Sequence, residues 1–425
     1  MTHSLNDAQQ LLRQGRIEEA ESAFERILET DPGHVEALNV LGLVALRKGS
    51  PMRAQELLER AVAGNPSDPM SQHHLARVQS ALGDERAALQ AHRRAVELAP
   101  NFHLARLHFA ESLERNGEQD EAVIQYARAL QDAQGEGRWI NADSTPPPVR
   151  PLVEQAVRAV RQGRHAAFER LFEPLQRRFG PASLDRVRDA LAVYMNEARA
   201  VPGDPRQGPT FLFFPGLPTT PYFPKTLFPG IEEMEANFPR IRAELENVLR
   251  SDAGRERVFN SDTLEQQNLK GLKRAPSWNG YYFYRYGKRR ADNCEACPVT
   301  SASLDRVPLA RIRDHGPEVL FSVFTPDTHL VMHRGVTNAR VVAHLPLMIP
   351  DNCALNVGGE IHQWREGEVV VFDDTFDHEA WNRSDRTRVV MIFDLWNPHL
   401  TEGERAAVAD LTAAIGDFRV AVEAA

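Results

Sequence analysis

Two histidines stand where the chain passes between strand-like segments. His378 follows the acid-rich part of VFDDTFDHEAWN (Val371 to Asn382), and His333 closes THLVMH just before Arg334 and Gly335. They lie 45 residues apart with several short apolar segments between them. A double-layered β fold can bring two such strand ends to one mouth. Metal sites built for oxygen chemistry use two histidines and one carboxylate on one face and leave positions open. In such sites the first histidine normally opens a His-x-Asp or His-x-Glu triplet. The matching triplet here ends in Gly335, which offers no ligand. Spacing alone thus leaves a metal pair open beside two plainer alternatives, a satisfied core histidine at 333 and a turn-capping histidine at 378.

Arg388 sits in TRVVMIF, ten residues after His378. Either its head lies in solvent at a strand entrance, or it is buried and needs an anion, because an unpaired buried charge is expensive. A planar guanidinium suits a carboxylate. Cys294 and Cys297 form a lone CxxC pair, too little for a zinc site and better read as free thiols or a redox pair. Lys288, Arg289 and Arg290 read first as a solvated basic turn, with contact to an acidic substrate as the sharper alternative.

The elements that must position these residues follow from pattern. The chain has 425 residues and a net charge of −9, which leaves room for several domains and argues against a nucleic-acid binder. Three cysteines suit a reducing, cytoplasmic setting, the polar N-terminus lacks a signal-peptide pattern, and no apolar run is long enough to span a bilayer. Glycines recur at 15, 49, 83 and 117, with alanines in phase at 20, 54, 88 and 122 and prolines at 32, 66 and 100. That period of 34 is the tetratricopeptide signature. Glycine caps the first helix of each pair, alanine permits close approach, and proline stops the second helix. Four pairs occupy 1–137, and such arrays offer a binding surface for a peptide or protein partner. Residues 138–207 read as a connector, opening on the stiff, extended DSTPPPVRP and continuing in helices. From 208 to 425 the texture is β, apart from one amphipathic helix in GIEEMEANFPRIRAELENVLRS and a C-terminal helix. Short strands in EVLFSVFTP, THLVMH, ARVVAHLPLMIP, CALNVGG, EVVVFDD and RTRVVMIFDLWNP, divided by turn residues, predict a jelly roll.

The stretches MHRGVTNARVVAHLPLMIP, WREGEVVVFDDTFDHEAWN and RVVMIFDLWNPHL resemble the aspartyl/asparaginyl β-hydroxylase family. The resemblance runs from about Gly208 to Leu400 and is strongest from Ser322 onward. It implies a double-stranded β-helix (jelly-roll, cupin-like) oxygenase domain behind an α-solenoid of repeats, using Fe(II), 2-oxoglutarate and O2. It also implies iron held by two histidines without the carboxylate, so Gly335 matches the family and His333 and His378 become the metal and catalytic residues. Arg388 would anchor the distal carboxylate of 2-oxoglutarate, with Ser322 as its hydroxyl helper. His344 would meet the metal-side carboxylate. The arginine that accompanies it in the family is Val342 here, so either another cation substitutes, Arg340 or Arg334, or 2-oxoglutarate binds more weakly. Asp374 is the expected partner for a bound water or a histidine, while Asp373 and Asp377 read as a solvated turn. The implied reaction is hydroxylation of an unactivated C–H, at Cβ of Asp or Asn in a peptide. The alternatives are a free amino acid, a biosynthetic intermediate or a lipid acyl chain as substrate, or a repeat adaptor with an inactive jelly roll.

Overall fold

The computed structural model describes residues 5–251, 254–257 and 278–425. Residues 1–4 of the expected repeat region and 258–277 of the expected oxygenase region lie outside the described residues. The chain forms two compact units, residues 1–167 with 417–425, and residues 168–416.

The first unit is built from helix pairs. They are α1 (Leu5–Arg13) with α2 (Ile17–Thr30), α3 (Val35–Arg47) with α4 (Pro51–Gly64), α5 (Pro69–Ala81) with α6 (Glu85–Leu98), and α7 (His103–Arg115) with α8 (Gln119–Gly135). The repeated glycines carry φ of +74° to +83°, the left-handed cap that residues with a Cβ resist. The in-phase alanines are at most 1% exposed, so a larger side chain there would push the pair apart. Each second helix ends two residues before its proline.

The expected stiff connector is instead a folded turn. Asn141 Oδ1 accepts from the backbone N–H groups of Asp143 and Ser144, and Arg150 reaches back to the carbonyls of Thr145 and Ala142. Local polar side chains close the turn, which composition read as extended. It leads into one long helix, α9 (Arg150–Phe179), and the compact units divide within that helix and not at 137 or 207. The single helix expected after Gly230 is two, Ile231–Ala236 and Phe238–Ser251. Pro239 has no N–H to continue the first ladder, so it opens the second helix instead.

The second unit holds two antiparallel sheets. Its strands are β1 (Tyr222–Phe223), β2 (Arg255–Arg257), β3 (Trp278–Arg285), β4 (Lys288–Arg289), β5 (Val319–Phe324), β6 (Thr328–His333), β7 (Arg340–Met348), β8 (Cys353–Val357), β9 (Glu360–His362), β10 (Val370–Phe372), β11 (His378–Asn382) and β12 (Arg388–Trp396). One sheet runs β1-β10-β7-β12-β5-β3-β2 with β4 on β3, and the other runs β6-β11-β8-β9. The central strands of the larger sheet are apolar on both faces for a reason the register shows. One face, with Phe321, Val341, Ala343, Leu345, Met391 and Phe393, packs into a core with the helices that begin at Ile231 and Phe238. The other, with Ser322, Phe324, Val342, His344 and Arg388, faces a cavity walled on the opposite side by the smaller sheet.

Candidate active site

Antiparallel pairing of β6 and β11 sets His333 directly opposite His378. Their ring centroids are 4.0 Å apart. Each ring is aimed by its own backbone: Nδ1 of His333 donates to the Val331 carbonyl at 2.8 Å, and Nδ1 of His378 to the Phe376 carbonyl at 3.0 Å. Donation from Nδ1 fixes the tautomer whose Nε2 bears the lone pair, the form that binds a metal. Burial, and then the neighbouring His333, push the His378 pKa down to about 3, so that ring is neutral at physiological pH. Among the described residues no three His, Cys, Asp or Glu side chains form a metal-ligand set.

Gly335 leaves room for a carboxylate that arrives from elsewhere. A Cβ at 335 would lie 2.2 Å from Cγ of Asp374, and the Gly335 N–H donates to the Asp374 carbonyl. The glycine is needed so that Asp374 can lie beside the histidine pair.

Further along the same cavity, Arg388 is 1% exposed. Its guanidinium carbon lies 3.7 Å from the centre of the Phe324 ring and 4.8 Å from that of Trp364. Nε and Nη1 have no hydrogen-bond partner. Burial pushes its pKa down to about 9. The pairings Phe324–Arg388 and Ser322–Val390 place Ser322 and Arg388 on one sheet face. Ser322 Oγ accepts from Nε1 of Trp278 at 2.9 Å. His344 is buried in the cavity, its Nδ1 has no partner, and burial, with Arg388 next, drives its pKa well down.

The five site residues read from sequence, His333, His378, Ser322, His344 and Arg388, all line this one cavity of about 170 Å³. Val342 lines it too. Of the two cations considered in its place, Arg334 is committed to Asp377 by two 2.8 Å contacts, Nε to Oδ1 and Nη2 to Oδ2. Both arginines line the cavity, and Arg340 is likewise paired, with Asp394, and lies 3.7 Å from Asp374.

Asp373 corrects the sequence reading. It is fully buried and not in a solvated turn, accepting from Gln207 Nε2 at 2.6 Å and from the Thr375 N–H at 2.9 Å. Desolvation nonetheless raises its pKa. Asp377 is half-exposed, as a turn residue should be. The reading from residue types missed Trp278, Trp364 and Asp394. The available signal for Asp394 was a single acid inside MIFDLWNP, which must find a buried partner. Cys294 and Cys297 are buried free thiols, and burial pushes Cys297 up to about 12, so neither is a ready nucleophile.

Residues 235–398 match the sequence profile of the aspartyl/asparaginyl beta-hydroxylase family. They form an aspartyl/asparaginyl β-hydroxylase domain. Residues 5–69 match the tetratricopeptide repeat profile. The hydroxylase domain is similar to an ornithine lipid ester-linked acyl 2-hydroxylase of Rhizobium tropici, 33% identical over 43% of this chain and 62% of that protein. It is also similar to aspartate beta-hydroxylase domain-containing protein 2 of Xenopus tropicalis, 31% identical over 58% of this chain and 66% of the relative. Human aspartyl/asparaginyl beta-hydroxylase is 31% identical over 42% of this chain and 22% of its own length. The chain thus spans less than two thirds of the length of each of these relatives. Among solved structures, YrrB, described as a TPR protein with an unusual peptide-binding site, overlaps 31% of this chain and 68% of its own at 28% identity and a TM-score of 0.28. That partial overlap carries no argument about function.

No helix among the described residues is long and apolar enough to cross a membrane.

Proposed function

We propose that the hydroxylase domain is Fe(II)- and 2-oxoglutarate-dependent and inserts one oxygen atom of O2 into an unactivated C–H bond, with an Asp or Asn side chain of a peptide, hydroxylated at Cβ, as substrate. The observation that carries this reading is the orientation of His333 and His378, both held by backbone carbonyls, in the cavity that also buries Arg388 without a partner for two of its nitrogens. The donor set fits. Two neutral imidazoles suit a divalent iron and leave most of its positions open. A buried guanidinium with unmet donors is costly unless a carboxylate arrives, and a dicarboxylate with one end at the histidines supplies it.

Iron with 2-oxoglutarate would supply the oxidising equivalents: the keto acid would lose CO2 and take one oxygen atom of O2 to become succinate, and the other oxygen atom would enter the substrate C–H bond. This chain's residues do the rest. Arg388 would receive the distal carboxylate two-pronged, with the Ser322 hydroxyl, itself held by Trp278, beside it. His344 would donate to the nearer carboxylate. Arg340, on the face of β7 shared with Val342 and His344, would be the cation nearest in position to the one residue 342 lacks, sharing its charge with Asp394. Asp374, in the space Gly335 leaves, would accept a hydrogen bond from water or from a histidine. Leu330, Leu355, Phe372 and Ala380 keep the cavity walls dry.

A second reading, supported by the Rhizobium tropici relative, takes a lipid acyl chain as substrate. One experiment separates the readings. The full chain is incubated with Fe(II), 2-oxoglutarate and either an Asp/Asn peptide library or amino-lipid vesicles, and succinate and oxygenated products are quantified by mass spectrometry. Substrate-stimulated succinate with a hydroxylated Asp or Asn supports the proposal. A hydroxylated acyl chain moves the substrate to lipid, and no iron-dependent succinate under either condition overturns the enzyme reading.

A further inference from the structure

Nothing acidic holds Arg388 in place. Among the described residues it has no ion pair, and its Nε and Nη1 have no hydrogen-bond partner. The other two arginines of the cavity are treated differently: Arg334 pairs with Asp377 and Arg340 with Asp394. A guanidinium buried to this depth is costly unless something else meets its charge.

What meets it is a pair of ring faces. The guanidinium carbon lies over Phe324, 3.7 Å from the ring centre, and over Trp364, 4.8 Å from it. Phe324 is its cross-strand neighbour in the larger sheet. Trp364 comes from the segment between β9 and β10 and is 6% exposed. A ring face attracts a cation more strongly once both are out of water, and tryptophan offers the strongest face. The indole also adjoins His344, with ring centres 5.8 Å apart. It thus stands beside the residues assigned to both ends of the cosubstrate.

Core filling alone does not account for an indole at 364. Trp364 packs in a cluster with Val342, Leu355 and Phe372, yet its Nε1 has no acceptor. Trp278, in the same cavity, gives its N–H to Ser322. A phenylalanine would fill apolar space without leaving a donor unmet. The ring face supplies what packing does not. A carboxylate beside Arg388 would also hold it, but would occupy the donors that a carboxylate ligand needs. The N–H groups of a guanidinium lie in its plane, so stacking on rings leaves them unspent.

We propose that Trp364 is a positioning residue for 2-oxoglutarate. With Phe324 it holds Arg388 by ring faces in place of an acid, so that the in-plane donors stay free for the distal carboxylate. The inference rests on the cosubstrate reading above and adds to it how the anchor is kept both in place and unpaired.

The test is isothermal titration of 2-oxoglutarate into the full chain with Fe(II) and without oxygen. Trp364→Leu should weaken binding about tenfold, the size of a desolvated cation–π contact, and Trp364→Phe should weaken it less. Fe(II) affinity, read by equilibrium dialysis, should be unchanged in both. Because Trp364 acts through Arg388, Trp364→Leu should cost nothing further in an Arg388→Ala background. A tryptophan that only fills space would weaken binding equally in both backgrounds, and that result overturns the proposal. So does wild-type affinity in Trp364→Leu while Arg388→Ala loses it, an outcome that leaves the cosubstrate reading standing. No binding of 2-oxoglutarate by the wild type overturns both. Should Trp364→Leu unfold, Trp364→Phe decides, since it keeps a ring and removes the unmet N–H; undiminished affinity in that variant overturns the proposal.

Discussion

Two groups of histidines lie close-packed in this chain, and their surroundings set them apart. In the hydroxylase domain His333 and His378 face each other across β6 and β11, and each Nδ1 is committed to a backbone carbonyl. In the repeats His73, His92 and His108 are similarly near one another, yet Arg77 stands beside them and two of the cluster's ring nitrogens lack partners. Proximity of imidazoles is therefore not what marks a metal pair. Backbone acceptors that fix the tautomer set the strand pair apart from the cluster in the repeats.

The largest effect expected from this contrast lies at Arg388. Arg388→Ala should weaken 2-oxoglutarate binding by about 100-fold, in line with truncating one partner of a buried charged contact. Arg388→Lys should recover only part, because it loses the planar fork. Isothermal titration under anaerobic conditions reads both. Cosubstrate affinity unmoved by either change would remove the anchor role.

Next comes Gly335. Gly335→Ala places a methyl 2.2 Å from the Asp374 carboxyl carbon, so Asp374 must leave the histidine pair. Overpacking of this kind costs about 1–3 kcal/mol. The variant should melt lower and turn over poorly, whereas Gly83→Ala in the repeats should lower the melting point without touching turnover. Wild-type kinetics in Gly335→Ala would show that Asp374 has no part in the chemistry.

A smaller effect distinguishes the repeats by pH. Burial lowers the pKa of His74 to about 4 and of His92 to about 3. Unfolded histidine titrates near 6.5, so below that pH the unfolded chain takes up protons that the folded repeats refuse. The stability these rings allow is complete above about pH 6.5 and is lost as pH falls toward 4, by up to about 1.4 kcal/mol per pH unit for each ring. Melting curves between pH 7 and 4.5 should steepen downward, and His73→Leu with His92→Phe should flatten them. Curves that coincide for wild type and double variant would contradict buried neutral histidines. The smallest effect is at the surface. Lys288, exposed and 2.9 Å from Asp314, should be replaceable by Ala with no change in melting. A loss of substrate affinity in Lys288→Ala would mean the basic turn contacts substrate.

Much of this was legible in sequence, for identifiable reasons. The repeats were readable because Gly15, Gly49, Gly83 and Gly117 each meet a backbone requirement that few residues satisfy. The strand THLVMH matches β6 residue for residue. The five cavity residues were readable through motif resemblance, and strand alternation explains why 342 and 344 share a face. What stayed hidden depends on contacts between distant segments. Asp373 looks like turn decoration until Gln207, far away in sequence, reaches it. Asp374 in the space left by Gly335 requires the β6–β11 pairing to be known. The turn at 141–150 is closed by single side-chain hydrogen bonds that the proline count masks.

The most direct test is anaerobic Fe(II) titration of the full chain, of His378→Ala and of the double variant His73→Leu, His92→Phe, followed by equilibrium dialysis. The wild type and the double variant should each bind one iron per chain, and His378→Ala should lose more than about 100-fold in affinity because half of the protein ligands are gone. Iron retained at full affinity by His378→Ala, or lost from the repeat variant, would contradict a two-histidine centre in the hydroxylase domain.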